Sequence, residues 1–263
     1  MMHIHYISKC VQHFVKAKHW RGFGIHSPYV YHLQRHVISS DKLNDKEIRQ
    51  RVRKYRKELL RNKCRIPLND LGTGTAKDGV VAKIVRRAAI DEKSGMLLSR
   101  LAADYKPDMV IEFGTSLGVG TAYLALGSGM DVPVVTIEGS SECTKLAEST
   151  LVKHGIENVK LLSGAFDDLM PNILDIIRGK RVMVYLDGNH TYEATMRYFN
   201  NLLSVADNNM MVVLDDIHLH SGMSKAWREI CQIDRVTTTI DLMRMGIVVL
   251  RSGAQKEQYI LRW

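Results

Sequence analysis

The chain has 263 residues, of which 45% are hydrophobic, 25% charged and 7% aromatic, and these values exclude a disordered tail, a collagen and a low-complexity scaffold. The formal net charge is +9, and it is concentrated at the start of the chain. Residues 1–69 hold 16 Lys or Arg against 4 Asp or Glu, whereas residues 70–263 hold 21 against 24. This asymmetry predicts two parts, a basic helical cap or arm (1–69) and a second domain (70–263).

The basic arm has two interpretations, and both stay open. Its charge is either a solvated helical face or a surface for an acidic partner, such as a phosphorylated substrate, an anionic lipid or nucleic acid. It lacks the interleaved aromatic residues of a base-stacking platform, which argues against nucleic acid.

The cysteines and the apolar runs bear on the cellular compartment. The four cysteines lie far apart and form no C-x-x-C pair, which argues against a zinc knuckle and a disulfide framework. The amino terminus has no apolar h-region, and no apolar run reaches the roughly 18–20 residues that span a bilayer. We therefore expect a cytoplasmic protein without a transmembrane segment.

The first elements in chain order are helices. Apolar periodicity predicts helices over 4–20, 27–38 and 44–62. Two glycines break the first helix, and Ser27 followed by Pro28 forms an N-cap and first-turn pair for the second.

After residue 105 the pattern alternates between short apolar runs and amphipathic stretches. This alternation is typical of βαβ units, and the last two apolar runs are close enough for an antiparallel hairpin. We predict an α/β fold: a doubly wound, seven-stranded, mostly parallel sheet with an antiparallel C-terminal hairpin, plus an N-terminal all-helical cap. The predicted strands are 109–113, 133–137, 159–162, 182–186, 210–214, 236–242 and 247–251, and the predicted intervening helices are 119–128, 141–154, 168–178 and 191–206.

Two glycine loops are candidates to bind a nucleotide-containing cofactor. The loop over 112–121 follows a strand, opens a helix and is followed by a strand that ends in Glu138, an arrangement that suits ribose recognition. The loop over 70–75 lacks this context, so we expect a helix-entry turn there, or a contribution to closing the substrate site.

The second loop reads E-x-G-x-x-x-G-x-x-T, which is neither a P-loop nor G-x-G-x-x-G. Glu112 at the strand end would repel a pyrophosphate but attract the amino group of an amino acid. This favours S-adenosylmethionine over NAD.

With these motifs the sequence resembles class I S-adenosylmethionine-dependent methyltransferases over residues 95–251, and within them the catechol and caffeoyl-CoA O-methyltransferase type. It also resembles a group of Bacteroidetes methyltransferases that share G-x-H-S-P and D-G-N-H elements, which here read 24–28 and 187–190. The resemblance implies an adenine-binding turn at 163–167. The cofactor-binding residues that it implies are Glu112, Gly114, Thr115, Ser116, Gly118, Thr121, Glu138, Gly139, Gly164, Ala165, Phe166 and Asp187.

Three aspartates follow the fourth and fifth predicted parallel strands. Asp187, Asp215 and Asp216 would meet at one sheet edge and repel one another without a compensating charge. Oxygen ligands of this kind suit Mg²⁺ or another divalent cation, which could lower the pKa of a substrate hydroxyl. In the alternative, Asp187 contacts only cofactor or substrate, and the other two cap the next helix. The family has Asn where Asp216 stands.

The catalytic candidates are His190 and Asp187. His190 stands where the related family has a catalytic Lys, and an imidazole can take a proton from a hydroxyl or thiol. The alternative is a contact to adenine or water. The candidate substrate residues are His26, Tyr29 and His218.

We therefore expect methyl transfer to a hydroxyl oxygen of a small-molecule acceptor. Acidic and phosphorylated molecules are candidate acceptors, and a divalent cation is a candidate to assist the reaction. One alternative is a thiol or amine methyltransferase without metal. The other is a binding module, whose basic arm docks on RNA, lipid or protein. A homodimer contact through the arm is also expected.

Overall fold

The computed structural model describes residues 2–17, 22–40, 43–70, 75–207 and 209–263. They form two compact units, here named the middle unit (residues 41–171) and the terminal unit (residues 1–40 and 172–263). Packing therefore divides the basic segment 1–69 between both units. The functional division at residues 69 and 70 stays a prediction.

The middle unit contains two small sets of strands and the helices that cover them. A parallel set has the order β3-β4-β5, and β1 and β2 form a separate antiparallel pair. Its elements are α3 (Leu43–Arg61), β1 (Arg65–Asp70), β2 (Thr75–Val80), α4 (Val81–Ala88), α5 (Glu92–Tyr105), β3 (Met109–Phe113), α6 (Val119–Ser128), β4 (Val134–Glu138), α7 (Ser141–Lys153), β5 (Val159–Ser163) and the first part of α8 (Phe166–Ile177).

The terminal unit contains five strands in the order β10-β8-β9-β7-β6, in which only β9 runs antiparallel to its neighbours. Its elements are α1 (Met2–Lys16), α2 (Pro28–Leu33), a π-helical turn (Gln34–Ile38), the end of α8, β6 (Val182–Leu186), α9 (Tyr192–Val205), β7 (Asn209–Leu214), α10 (Ser221–Gln232), β8 (Thr238–Asp241), β9 (Gly246–Arg251) and β10 (Glu257–Ile260).

The predicted α/β class, the mostly parallel sheet, the N-terminal helices and the β8–β9 hairpin are confirmed. The two strand sets just described contain eight strands in all, one more than predicted, because β10 pairs with β8 in parallel. No described helix is long and apolar enough to cross a membrane.

The glycine loop over 70–75 differs from its prediction. Residues 71–74 lie outside the described residues, but Asp70 and Thr75 are register partners at the ends of the antiparallel strands β1 and β2. The segment therefore connects two strands, and the expected helix-entry turn is wrong. The hairpin was missed because β1 contains a proline and β2 has no apolar alternation.

Helix α3 is part of the middle unit's core. Val52, Tyr55 and Leu59 are at most 1% exposed, as the helical spacing predicts. Arg53 donates to Glu92 at 2.6 Å. Part of the arm's positive charge is therefore paired with acids of the same unit.

Glycines let α5 and α6 approach closely. A Cβ on Gly127 would lie 2.4 Å from the carbonyl oxygen and 2.5 Å from the Cα of Ser99, and a Cβ on Gly95 would lie 2.2 Å from the Tyr123 ring. Because α6 begins at the glycine loop, this close packing also fixes the loop's position.

We expect Gly127→Ala to lower the free energy of unfolding by about 2 kcal/mol. Helix propensity alone would favour alanine by about 1 kcal/mol, but the methyl group would meet backbone atoms, and overpacking costs about 1–3 kcal/mol or more. Urea denaturation of this variant and of Ser128→Ala, the neighbouring control, measures the effect. A Gly127→Ala protein more stable than the wild type would contradict the packing.

Candidate active site

The glycine loop connects β3 to α6, as predicted. Gly114 and Gly118 have φ angles of 108° and 77°, and Gly118 is the N-cap residue of α6. A Cβ at Gly118 would lie 2.5 Å from the hydroxyl oxygen of Tyr55. Both backbone conformation and space therefore require glycine at this position.

Glu112 is buried at the end of β3, where hydroxyl groups solvate it. Its Oε2 accepts hydrogen bonds from Thr121 at 2.5 Å and from Thr136 at 2.7 Å. The hydroxyl of Thr115, within the loop, lies 2.6 Å from that of Thr136. Since Thr136 donates to the carboxylate, Thr115 donates to Thr136, and the chain of hydrogen bonds ties the loop to the carboxylate.

Glu138 lies at the end of β4 and holds the glycine loop from the other side. Its Oε2 accepts from the backbone N–H of Ser116 at 2.7 Å, and its Oε1 accepts from that of Ser140 at 2.9 Å. Gly139 lies between Glu138 and Ser140. The carboxylate is thus oriented by the backbone beside the loop, as a ribose-binding acid requires.

The turn after β5 adjoins Glu138. The N–H of Gly164 donates to the carbonyl of Glu138 at 2.9 Å, and Ala165 leads into Phe166 at the start of α8. The Phe166 ring meets Phe113 edge-on, with ring centroids 5.4 Å apart. All the predicted cofactor residues of the middle unit therefore belong to one connected group.

Tyr55 of α3 also belongs to this group, although its helical spacing predicts only a buried apolar position. Its hydroxyl donates to the carbonyl of Leu117 in the loop at 2.8 Å. Burial raises the pKa of Tyr55, and the charge of Glu112 adds to the effect. Tyr55 therefore supports the loop as a neutral phenol that donates a hydrogen bond to the Leu117 carbonyl.

Asp187 and His190 lie together in the terminal unit, after β6. His190 Nε2 is 3.4 Å from Asp187 Oδ1, and the Tyr185 hydroxyl donates to Asp187 Oδ2 at 3.1 Å. Burial alone would lower the pKa of His190, but the hydrogen bond to Asp187 and the charges of the neighbouring aspartates raise it above its ordinary value. The pair resembles a carboxylate that orients a general base.

Asp215 directly follows β7 and pairs with Arg244, for which the sequence carries no local signal. Arg244 donates through Nε to Oδ1 at 3.1 Å and through its terminal nitrogen to Oδ2 at 2.9 Å. Its Nε also lies 3.8 Å from Asp216. Burial raises the pKa of Asp215, the charge of Asp187 adds to this, and Arg244 opposes it.

The arrangement does not fit the predicted metal ligands. Arg244 occupies both carboxylate oxygens of Asp215 and supplies the positive charge that the aspartates need. Within the described residues, no group of three or more His, Cys, Asp or Glu side chains could hold a metal ion. The side chains around Asp215 therefore form an ion pair and do not fit a metal centre.

The candidate substrate residues lie at different places in the terminal unit. His218 Nε2 is 2.8 Å from Asp241 Oδ2, and its Nδ1 is 3.0 Å from Ser224 Oγ. His26 is exposed, and Tyr29 lies under the Arg251 guanidinium, 4.2 Å from the ring centroid. Their roles stay predictions.

Comparisons with known proteins agree with this geometry. Residues 111–217 match the family model described as a methyltransferase domain. The catechol O-methyltransferase of Mycobacterium tuberculosis (strain ATCC 25618 / H37Rv) is 26% identical over 138 residues, which are 52% of this chain and 60% of that protein. The chain thus spans less than two thirds of this relative's length.

Two solved structures share the fold. The O-methyltransferase TomG from Streptomyces achromogenes, involved in tomaymycin synthesis and in complex with SAM, has a TM-score of 0.54 and 20% identity over 85% of this chain and 95% of that one. The O-methyltransferase from Bacillus cereus in complex with SAH has a TM-score of 0.54 and 16% identity, over 84% and 96%.

The predicted family resemblance is confirmed by both kinds of comparison. The matched segment begins within β3 and includes the glycine loop, Glu138 and the Asp187–His190 pair. Residues 111–217 therefore match a methyltransferase domain, and the chain resembles S-adenosylmethionine-dependent O-methyltransferases in sequence and in fold.

Proposed function

We propose that the chain transfers the methyl group of S-adenosylmethionine to a hydroxyl oxygen of a small-molecule acceptor. The observation that carries the proposal is Glu138, whose two oxygens are oriented by loop and turn N–H groups at the end of β4. The names of the relatives, which are O-methyltransferases, support oxygen as the nucleophile.

The middle unit binds the donor in this proposal. Glu138 accepts hydrogen bonds from the ribose hydroxyls, the loop beginning at Gly114 lets the backbone approach the ligand, and Phe166 covers the adenine. Glu112, which is 1% exposed and linked to the loop through Thr121 and Thr136, favours the amino group of the methionine part by its charge. The bound sulfonium supplies an electrophilic methyl group.

In this proposal, His190 of the terminal unit accepts the proton of the acceptor hydroxyl. With Nε2–H of His190 donating to Asp187, the lone pair lies on Nδ1, which takes the proton of the acceptor hydroxyl. The oxygen then forms its bond to the methyl carbon as the carbon–sulfur bond breaks. Asp187 stabilises the imidazolium that results.

Oxygen is favoured over sulfur and nitrogen because a base of raised pKa is built into the site. A thiol ionises more readily and needs less help, so a thiol acceptor would tolerate loss of His190. A labelled-donor screen over matched phenols, thiols and amines compares the three classes.

The cytoplasmic location and the homodimer stay predictions from the sequence.

We expect Glu138→Gln to weaken S-adenosylmethionine binding by about 1–3 kcal/mol, because hydrogen bonds to a charged acceptor are lost. Titration calorimetry measures the change. Glu142→Gln, which removes a partly exposed acid four residues later, is the control and should bind normally. Equal affinity of the Glu138 variant and the wild type would remove the proposed donor site.

We expect kcat to rise with pH through a midpoint above about 6.5, because the base works unprotonated and its pKa is raised. Asp187→Asn should move the midpoint to lower pH, and His190→Gln should reduce kcat by about 10²- to 10⁴-fold. His154→Gln removes a histidine paired with Glu58 at 3.1 Å in the middle unit and should leave the profile unchanged. An unaltered profile in both site variants would exclude His190 as the base.

We expect methyl transfer to persist in excess EDTA, because Arg244 already neutralises Asp215. Initial rates with EDTA, with added Mg²⁺ and without either are compared. Loss of turnover in EDTA with recovery in Mg²⁺ would show that a metal displaces Arg244 during the reaction.

A further inference from the structure

Helix α1 is amphipathic, and its apolar face is the more exposed one. Successive exposed apolar residues of α1 are one, three or four positions apart, so they share one face of the helix. Each of them is at least 60% exposed: Ile4, Ile7, Val11, Phe14 and Val15. The opposite face carries Lys9, His13 and Lys16.

The polar face of α1 lines a cavity of about 510 Å³ in the terminal unit. The cavity has an apolar side formed by Trp227 of α10, which is 5% exposed, and Ile260 of β10. Lys9, Lys16 and Arg228 lie on its other sides. A cavity with apolar and cationic walls suits an organic molecule that carries a negative charge.

Asp241 does not neutralise these cations. It is the one carboxylate among the cavity's described lining residues, and its oxygens lie 2.8 Å from His218 Nε2 and 3.5 Å from His13 Nε2. Asp241 Oδ1 also accepts from the N–H of Met243 at 2.8 Å. Within the described part of the chain, no carboxylate forms an ion pair with the three cations, so an anionic ligand would meet an excess of positive charge.

Two short segments of chain link the cavity wall to the residues around Asp215. His218, in the cavity wall, follows Asp216 by two residues, and Asp241 precedes Arg244 by three. Burial raises the pKa of the Tyr6 phenol on α1, and the negative charge of Asp216 contributes to the same shift. The same helix therefore lies over the cavity and beside the aspartates.

From this geometry we infer that the cavity binds the methyl acceptor by its charged end, and that the acceptor is an organic acid with an apolar body. The inference rests on the proposed function. Lys9, Lys16 and Arg228 attract the carboxylate or phosphate, Trp227 packs against the apolar body, and the hydroxyl is directed toward His190. Nothing in this recognition involves the donor.

The test uses two probes of equal shape, 6-hydroxy-2-naphthoate and 6-hydroxy-2-naphthalenemethanol, with the full-length protein. By calorimetry the acid should bind at least about tenfold more tightly than the alcohol. Lys16→Gln and Arg228→Gln should each weaken acid binding about threefold, as expected for partly exposed charges, and together about tenfold. Lys145→Gln, on α7 of the middle unit, is the matched control and should change neither affinity.

Rates with labelled donor supply the second readout. The double variant should raise KM for the acid about tenfold and leave kcat unchanged, because the removed charges bind the ground state and the transition state equally. Equal affinity for acid and alcohol, or a preference that survives in the double variant, would overturn the cavity's selectivity. Selective binding with an unchanged KM would overturn its role as acceptor site. Selective binding without methyl transfer to any acceptor would instead count against the proposed function.

Discussion

The burial of one carboxylate, Glu112, constrains much of the middle unit. A carboxylate that is 1% exposed must be fully hydrogen-bonded, because an unpaired buried charge costs several kcal/mol. Thr121 on α6 and Thr136 on β4 meet this requirement, and Thr115 extends the hydrogen bonds into the loop. The strand, its neighbour, the helix and the loop are therefore held by one acid.

In the terminal unit, a cation compensates the charge of a buried carboxylate. Asp215 is as deeply buried as Glu112, but its partner is Arg244 from the turn between β8 and β9. Two hydrogen bonds in a fork geometry fix that turn to the end of β7. A permanently charged guanidinium also leaves Asp187 available to polarise His190. Asp215 is thus paired with a cation, whereas Asp187 is paired with a histidine.

The sequence predicted the parts of the fold whose signals are local. The apolar runs at 109–113 and 182–186 coincide with β3 and β6, because strands buried on both faces are continuously apolar. The pair β1–β2 and the four-residue β10 were missed, since polar or very short strands lack such a signal. In the site, Arg244 and Tyr55 act across 29 and 62 residues, a separation that no local motif encodes.

The contact of Tyr55 with the loop matters for how this protein can be divided. The segment that matches the methyltransferase model begins at residue 111, whereas the phenol that supports Leu117 and packs against Gly118 comes from α3, far upstream. An excised fragment starting at the match would lose that support and open a void beside the loop. As a module for recombination or expression, the half that carries the glycine loop therefore begins at α3.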